Sequence, residues 1–166
     1  MIALAIREAT AADRDAIRAV EEAAFGRTDE ARLVEALAAS GAAVLELVAE
    51  AQGRIVGHVL FSRLIVTRPQ GDVHAVALAP LAVAPGAQRQ GIGAALVEEA
   101  HRRLRAAGER LSVVLGDPAY YGRFGYAHAA AVGFDSDYRG EALQALDWGG
   151  APADGRLVYA PAFSGL

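Results

Sequence analysis

The stretch from Leu78 to Leu104, LAPLAVAPGAQRQGIGAALVEEAHRRL, constrains the chain most. It reads as a hydrophobic strand, a tight loop rich in glycine and glutamine, and a helix. Pro85 and Gly86 end the strand. Ile92, Leu96, Ala100 and Leu104 then recur every fourth residue, which marks one face of a helix. Gly91 and Gly93 strip side chains from the first turn. Backbone N–H groups at a helix start have no partner within the helix, and the helix dipole adds partial positive charge there. A strand feeding such a turn is a site for a phosphate group.

Three phosphate-loop patterns compete for it. A P-loop ends in Gly-Lys-Ser/Thr, and this loop has no lysine. A dinucleotide fingerprint, G-x-G-x-x-G, needs glycine at position 96, where Leu96 stands. The third pattern is Gln/Arg-x-x-Gly-x-Gly/Ala, and Gln88-Arg89-Gln90-Gly91-Ile92-Gly93 satisfies it in full. A glycine-containing helix start with no ligand is the alternative to all three.

Composition narrows the field. The 166 residues suffice for one domain with a sizeable core. Apolar residues make up 54%, which excludes disorder over most of the length. The net charge is −4 and no basic block occurs, which argues against nucleic acid as a partner and mildly favours small cations. Without cysteine there is neither a disulfide framework nor a thiolate nucleophile. No segment is apolar for long enough to span a membrane and no signal-peptide pattern opens the chain, so a cytoplasmic protein is expected.

The remaining elements follow from periodicity and breakers. Leu4–Arg7 reads as a first strand. Thr10 and Asp13 resemble a capping box. A helix follows with Ile17, Val20 and Ala24 on one face, ending at Phe25-Gly26. A second begins near Thr28 or Asp29, with Leu33, Val34 and Leu37 as its stripe, and stops before Gly41. Glu21, Glu22, Glu30 and Glu35 on these helices read mostly as solvated. Strands at residues 43–50 and 54–67 flank a Gln52-Gly53 turn. A long strand at 73–83 is irregular at Pro80, which cannot donate to a ladder. Leu111–Leu115 is a compact strand beyond the helix, and the crossover makes it parallel to the strand before. Beyond Tyr126 the signal weakens. Residues 126–134 read as a sixth strand, 139–150 as a loop or broken helix, and 157–163 as a last strand kept at an edge by Pro161.

The loop motif and Tyr121-Gly122-Arg123-Phe124-Gly125-Tyr126 resemble the two signatures of the GNAT (GCN5-related) N-acetyltransferases. The second corresponds to Tyr-x-x-x-Gly-Phe, with Tyr126 replacing phenylalanine. The longer run GDPxYYxRFGY is similar to one bacterial branch of that family. Many of its members carry an asparagine and a longer helix before the tyrosine, where this chain has Asp117-Pro118.

That resemblance implies an α+β fold, an α/β/α sandwich on a mixed, mostly antiparallel sheet whose strands 4 and 5 are parallel and splay apart. It also implies one domain over residues 1–166, with a core at about 4–135 and an extension at 136–166. The implied reaction is direct acetyl transfer from acetyl-CoA to an amine of a small molecule, peptide N-terminus or lysine, through a ternary complex and without a metal. Leu81, Ala82 and Val83 would hold the pantetheine arm, Gln88, Arg89, Gln90, Gly91, Ile92, Gly93 and Ala94 the pyrophosphate, and Gly116, Tyr120, Tyr121 and Phe124 the remainder. The Val83 N–H would stabilise the oxyanion. Tyr121 would protonate the leaving thiolate. Glu22 and Phe25 are substrate-contact candidates. Glu22, His58 and His74 are candidate bases, although His58, in an apolar strand, also reads as a hydrogen-bonded core histidine. His101 and His128 complete a set without metal-site spacing. An acyl-CoA sensor without catalysis is the alternative function, and Ala79, Ala82 and Ala84 leave room for a longer acyl group. The expected assembly is a monomer or a homodimer.

Overall fold

The computed structural model describes residues 3–165. Among the described residues, eight strands and four α-helices form in the order β1 (Leu4–Glu8), α1 (Arg14–Phe25), α2 (Asp29–Ala39), β2 (Ala43–Ala51), β3 (Arg54–Thr67), β4 (Val73–Val83), α3 (Ile92–Ala106), β5 (Leu111–Leu115), α4 (Pro118–Tyr121), β6 (Phe134–Asp135), β7 (Leu143–Asp147) and β8 (Gly155–Val158). The main sheet runs β1-β2-β3-β4-β5-β7. Its first four strands are antiparallel, and β4 and β5 are parallel.

Period-two alternation sorts side chains between two helical layers. Leu47, Ala49, Val59 and Phe61 face α3, where Ile92, Leu96, Ala100 and Leu104 form the buried stripe. Val48 and Leu60, between them in sequence, face Ile17 of α1 and Leu33, Val34 and Leu37 of α2. Each fully buried leucine contributes about 1.5–3 kcal/mol to this arrangement. Local chemistry fixes the boundaries. The Asp13 carboxylate accepts from the Thr10 backbone N–H at 2.7 Å. Gly26 ends α1 with a left-handed φ of 69°, and Gln52 and Gly53 both take positive φ in the β2–β3 turn.

Two irregularities open the sheet at β4. Val59 pairs with Leu81 but Phe61 with Leu78, so β4 carries one extra residue around Pro80. The parallel pairing of β4 and β5 spans only Val76–Leu78 against Ser112–Val114. Beyond Leu78, β4 continues to Val83 against β3 alone, and its other edge borders a cleft.

The C-terminal third departs from the sequence expectation. Residues 126–133 form turns, with a 3-10 turn at His128–Ala130 and a single bridge, Ala127 to Ala145, and the sixth strand is reduced to the two residues of β6. A longer strand, β7, lies within the stretch that reads as a loop, where it pairs antiparallel with β5. Leu143 and Ala145 on either side of Gln144 are a faint strand signal, obscured by the adjoining apolar residues and by the glycines on either side. The last strand is β8, at 155–158. Pro161 opens a 3-10 turn, Pro161–Gly165, and lies outside any strand. β8 pairs with both β3 and β6, so it is not the free edge that dimer pairing would use.

Candidate functional site

The cleft beside β4 is built by backbone direction. The Ala84 N–H donates to the Val56 carbonyl at 2.8 Å. Hydrogen-bonded pairs alternate along an antiparallel ladder, so Ala82 also faces β3, while Leu81 and Val83 turn their N–H and C=O groups to the open side. The Gln88 side-chain amide donates to the Val83 carbonyl at 3.1 Å, tying the loop to the strand end. Ala82 is itself buried.

The loop then turns into α3. Arg89 and Gly91 both take left-handed φ, 65° and 78°. The first helical bond runs from the Ala95 N–H to the Gly91 carbonyl at 3.0 Å, which leaves the amides of Ile92, Gly93 and Ala94 without an intrahelical acceptor. No heavy atom lies within 4 Å of where a Gly91 Cβ would stand. These amides border a cavity of ≈ 440 Å³ that also touches Leu81, Val83, Gln88, Tyr120 and Arg123. A Cβ on Gly93 would lie 2.6 Å from the Tyr120 hydroxyl, so the tyrosine sits directly over the helix start. Exposed Gln90 is not part of this lining.

A second cavity of ≈ 480 Å³ shares Leu81 with the first and follows the gap between β4 and β5. Gly116 and Tyr121 line it beside the strand ends. Asp117 caps α4 by accepting from the Ala119 N–H at 2.9 Å, which turns the chain so that both tyrosines face the cleft. The Tyr121 ring packs edge-on against Tyr120 and Tyr126, with centroids 5.0 and 5.9 Å apart. Burial, with a smaller contribution from Tyr120, pushes its phenol up to about 12. Its ring covers Gly116 so closely that a Cβ there would overlap it. Gly116→Ala is therefore expected to displace the Tyr121 ring and lower kcat about tenfold, a part of the roughly 100- to 10,000-fold that a positioned proton donor would contribute; kinetics of the purified variant would check this. Phe124 packs edge-on against Tyr120 and touches neither cavity.

Tyr126 is fixed from behind. Its buried hydroxyl lies 2.7 Å from Ser112 Oγ and 2.9 Å from His101 Nε2. Those partners satisfy the oxygen that a phenylalanine would lack. Burial, then the charge of Arg105, lowers His101 to about 4, so it is neutral.

The far end of the second cavity is walled by Phe25, Glu30 and Leu33 from the first two helices and by Tyr138, Tyr159 and Phe163 from the C-terminal segment. Phe25, a substrate-contact candidate, is here; Glu22 is not. Glu30 departs from the solvated position its charge suggests, since its side chain is only 15% exposed. Its spacing from Leu33 and Leu37, three and then four residues, is the signal.

The histidines stand elsewhere. His58 is fully buried between two carboxylates, with Nδ1 2.7 Å from Glu21 and Nε2 2.7 Å from Glu46. Burial opposes its charge, but hydrogen bonds to both glutamates outweigh this and raise its pKa. Glu21, expected at the surface, is fully buried, and burial raises its own pKa. Glu46 is also penalised by burial, but His58 and Arg14 hold it below the ordinary glutamate value. His74 is exposed near the start of β4, seven residues before Leu81 and thus roughly 20 Å away along the strand. His128 Nδ1 faces the Leu143 carbonyl at 3.0 Å. Among the described residues no group of acidic and histidine side chains gathers as a metal site, and no helix is long and apolar enough to cross a membrane.

Known proteins share this arrangement. Residues 5–129 match the family model described as an acetyltransferase (GNAT) domain. The uncharacterized N-acetyltransferase YjhQ of Escherichia coli (strain K12) is 37% identical over 129 residues, 76% of this chain and 71% of its own length. The uncharacterized N-acetyltransferase YhbS of the same strain is 40% identical over 120 residues, 71% of this chain and 70% of its own. A GNAT family acetyltransferase from Brucella melitensis, crystallised with acetyl-CoA, has a TM-score of 0.82 and 34% identity, covering 97% of this chain and 98% of that one. The crystal structure of E. coli YhbS with CoA has a TM-score of 0.89 and 32% identity, covering 99% of this chain and 93% of that one.

Proposed function

Because this chain belongs to the GNAT family of N-acetyltransferases, we propose that it transfers acetyl from acetyl-CoA directly to the amine of a small molecule, with residues 1–166 acting as one cytoplasmic catalytic unit, monomeric or homodimeric. The observation that carries this reading is the early end of the β4–β5 pairing at Leu78, beside a glycine-led helix start. It leaves strand-edge amides and helix-start amides facing adjoining cavities that share Leu81.

The residues present fit acetyl-CoA. Leu81 and the Val83 N–H offer open edge groups to a peptide-like arm, while the Val83 carbonyl is held by Gln88. The amides of Ile92, Gly93 and Ala94, with Arg89 beside them, suit a pyrophosphate. Acetyl-CoA supplies an activated acyl carbon whose bond to sulfur is weaker than the amide bond that replaces it. The chain's own part is orientation and charge. The Val83 N–H points to the open edge and is assigned to the developing oxyanion, a fixed donor that needs no reorganisation. The Tyr121 phenol is assigned as the proton donor to sulfur; held near 12, it is protonated at neutral pH. Across the reaction a C–N bond forms and a C–S bond breaks. An acceptor ammonium releases two protons in total, one balancing the new thiol and one reaching solvent. No covalent enzyme intermediate is needed, which accords with a chain free of cysteine.

Calorimetric titration of acetyl-CoA tests the reading. Micromolar binding, about −8 kcal/mol, is expected. Gly91→Glu should raise Kd at least tenfold, because its carboxylate would enter the pyrophosphate site. Gly91→Asn is the control for backbone strain, since asparagine tolerates left-handed φ; it should bind nearly as well as the natural protein. No binding by the natural protein would remove the assignment of the cleft to acetyl-CoA.

A further inference from the structure

Arg123 has no part in the chemistry above, yet it borders two cavities. It lines the ≈ 440 Å³ cavity at the start of α3 and also a third cavity, again of ≈ 440 Å³, further along that helix. Its guanidinium carbon lies 5.4 Å from the centroid of the Tyr120 ring and 5.5 Å from that of Phe124. Contact with two rings holds the planar group and leaves its fork of N–H donors to another partner. Among the described residues Arg123 has no carboxylate partner, whereas Arg102, which shares the third cavity, donates from Nε to Glu99 Oε1 at 2.9 Å. Arg102 and Arg105 extend the positive wall beyond Arg123, and Glu98 is the one carboxylate that borders the same space. His101, also in that lining, is neutral.

On the reading proposed above, the pyrophosphate of acetyl-CoA lies on the amides of Ile92, Gly93 and Ala94. The ribose that follows it carries a further phosphate on its 3′ oxygen, so one sugar separates the two anionic groups. We propose that Arg123 binds this 3′-phosphate and makes the protein selective for coenzyme A over its 3′-dephospho form. Three observations converge on this role. The pyrophosphate has donors without Arg123, from the helix-start amides and from Arg89 in the same lining. A group one sugar beyond the pyrophosphate comes within reach of the side chain that borders both cavities. The surrounding wall is cationic, and a phosphate monoester carries close to two negative charges at neutral pH. Two of its oxygens match the guanidinium fork; a ribose hydroxyl offers neither the charge nor the pair of acceptors. Arg123 is thus a specificity residue for the donor and takes no part in acyl transfer.

The test is calorimetric titration with coenzyme A and with 3′-dephospho-coenzyme A, which differ only in that phosphate. The natural protein is expected to bind coenzyme A about tenfold more tightly or better, the scale of a charge-assisted hydrogen-bonded pair. Arg123→Gln should raise the coenzyme A Kd about tenfold and leave the dephospho Kd within about twofold, so that the two ligands bind alike. Arg123→Lys, which keeps the charge and loses the fork, should give an intermediate preference. Arg102→Gln, which removes a guanidinium already committed to Glu99, should leave the preference within about twofold of the natural one. Equal affinities of the natural protein for the two ligands would overturn the assignment and leave the pyrophosphate site standing. An equal loss of affinity for both ligands in Arg123→Gln would also overturn it, by moving the arginine's role to the pyrophosphate or to the packing of Tyr120. So would an Arg102→Gln effect as large as that of Arg123→Gln, which would replace a fitted partner by a diffuse field. Failure of the natural protein to bind either ligand would instead remove the reading beneath it.

Discussion

Tyr121→Phe is expected to lower kcat roughly 100- to 1,000-fold, within the range attributed to a positioned general acid, with the acetyl-CoA Kd changed by less than about twofold. The split follows from the geometry. The Tyr121 ring is held by its edge contacts with Tyr120 and Tyr126 and by its fit against Gly116. Phenylalanine keeps those contacts and removes one oxygen. Burial holds the phenol near 12, so deprotonation of Tyr121 should not reduce kcat below about pH 11. Stopped-flow thiol release and calorimetry on the same preparation would check both halves. If kcat were unchanged, another group would have to protonate the sulfur.

The second large effect concerns stability. Glu46→Ala is expected to destabilise the fold by about 3–5 kcal/mol, the usual cost of stranding a buried charge. Glu46 joins Arg14 and His58, and His58 reaches on to Glu21. Removing it leaves the His58 ring bonded on one side only and Arg14 without its carboxylate. At 2–4 °C per kcal/mol for a chain of this size, thermal unfolding should fall by about 10 °C. The network also has a pH signature. His58 has a raised pKa in the folded state, so its contribution is complete below the ordinary histidine value and is lost as pH rises through the elevated one. Glu21, also raised, acts with the same sign over its own range. Unfolding temperatures should therefore decline on the alkaline side, and His58→Gln should flatten that decline. Differential scanning calorimetry between pH 5 and 9 would show it.

The sequence is most legible where local rules and tertiary packing agree. The α3 stripe, the left-handed Gly26, the β2–β3 turn and the irregularity at Pro80 all follow from spacing or from one residue's backbone restriction. It is least legible in two kinds of place. Glu21 stands four residues after Ile17 and one after Val20, squarely on the buried face of α1. Its charge argues for solvent, and only His58, distant in sequence, makes its burial tolerable. β7 is obscured for a different reason. It is short and set among glycines, and its partner β5 supplies a pairing that local propensity cannot reveal. The donor side of the cleft is readable because one contiguous crossover builds it. The opposite wall of the second cavity joins residues 25–33 to residues 138–163 and carries no short motif.

That division has an evolutionary consequence. The groups assigned to the donor lie between Leu81 and Arg123, in the middle of the chain, whereas the far wall of the second cavity comes from stretches near its two ends. Substitutions at Phe25, Glu30, Tyr138, Tyr159 or Phe163 can accumulate without touching the loop proposed to receive the pyrophosphate. Such a scaffold can change what it modifies while keeping the same acyl donor, and relatives that share the Gln88–Gly93 motif need not share a substrate.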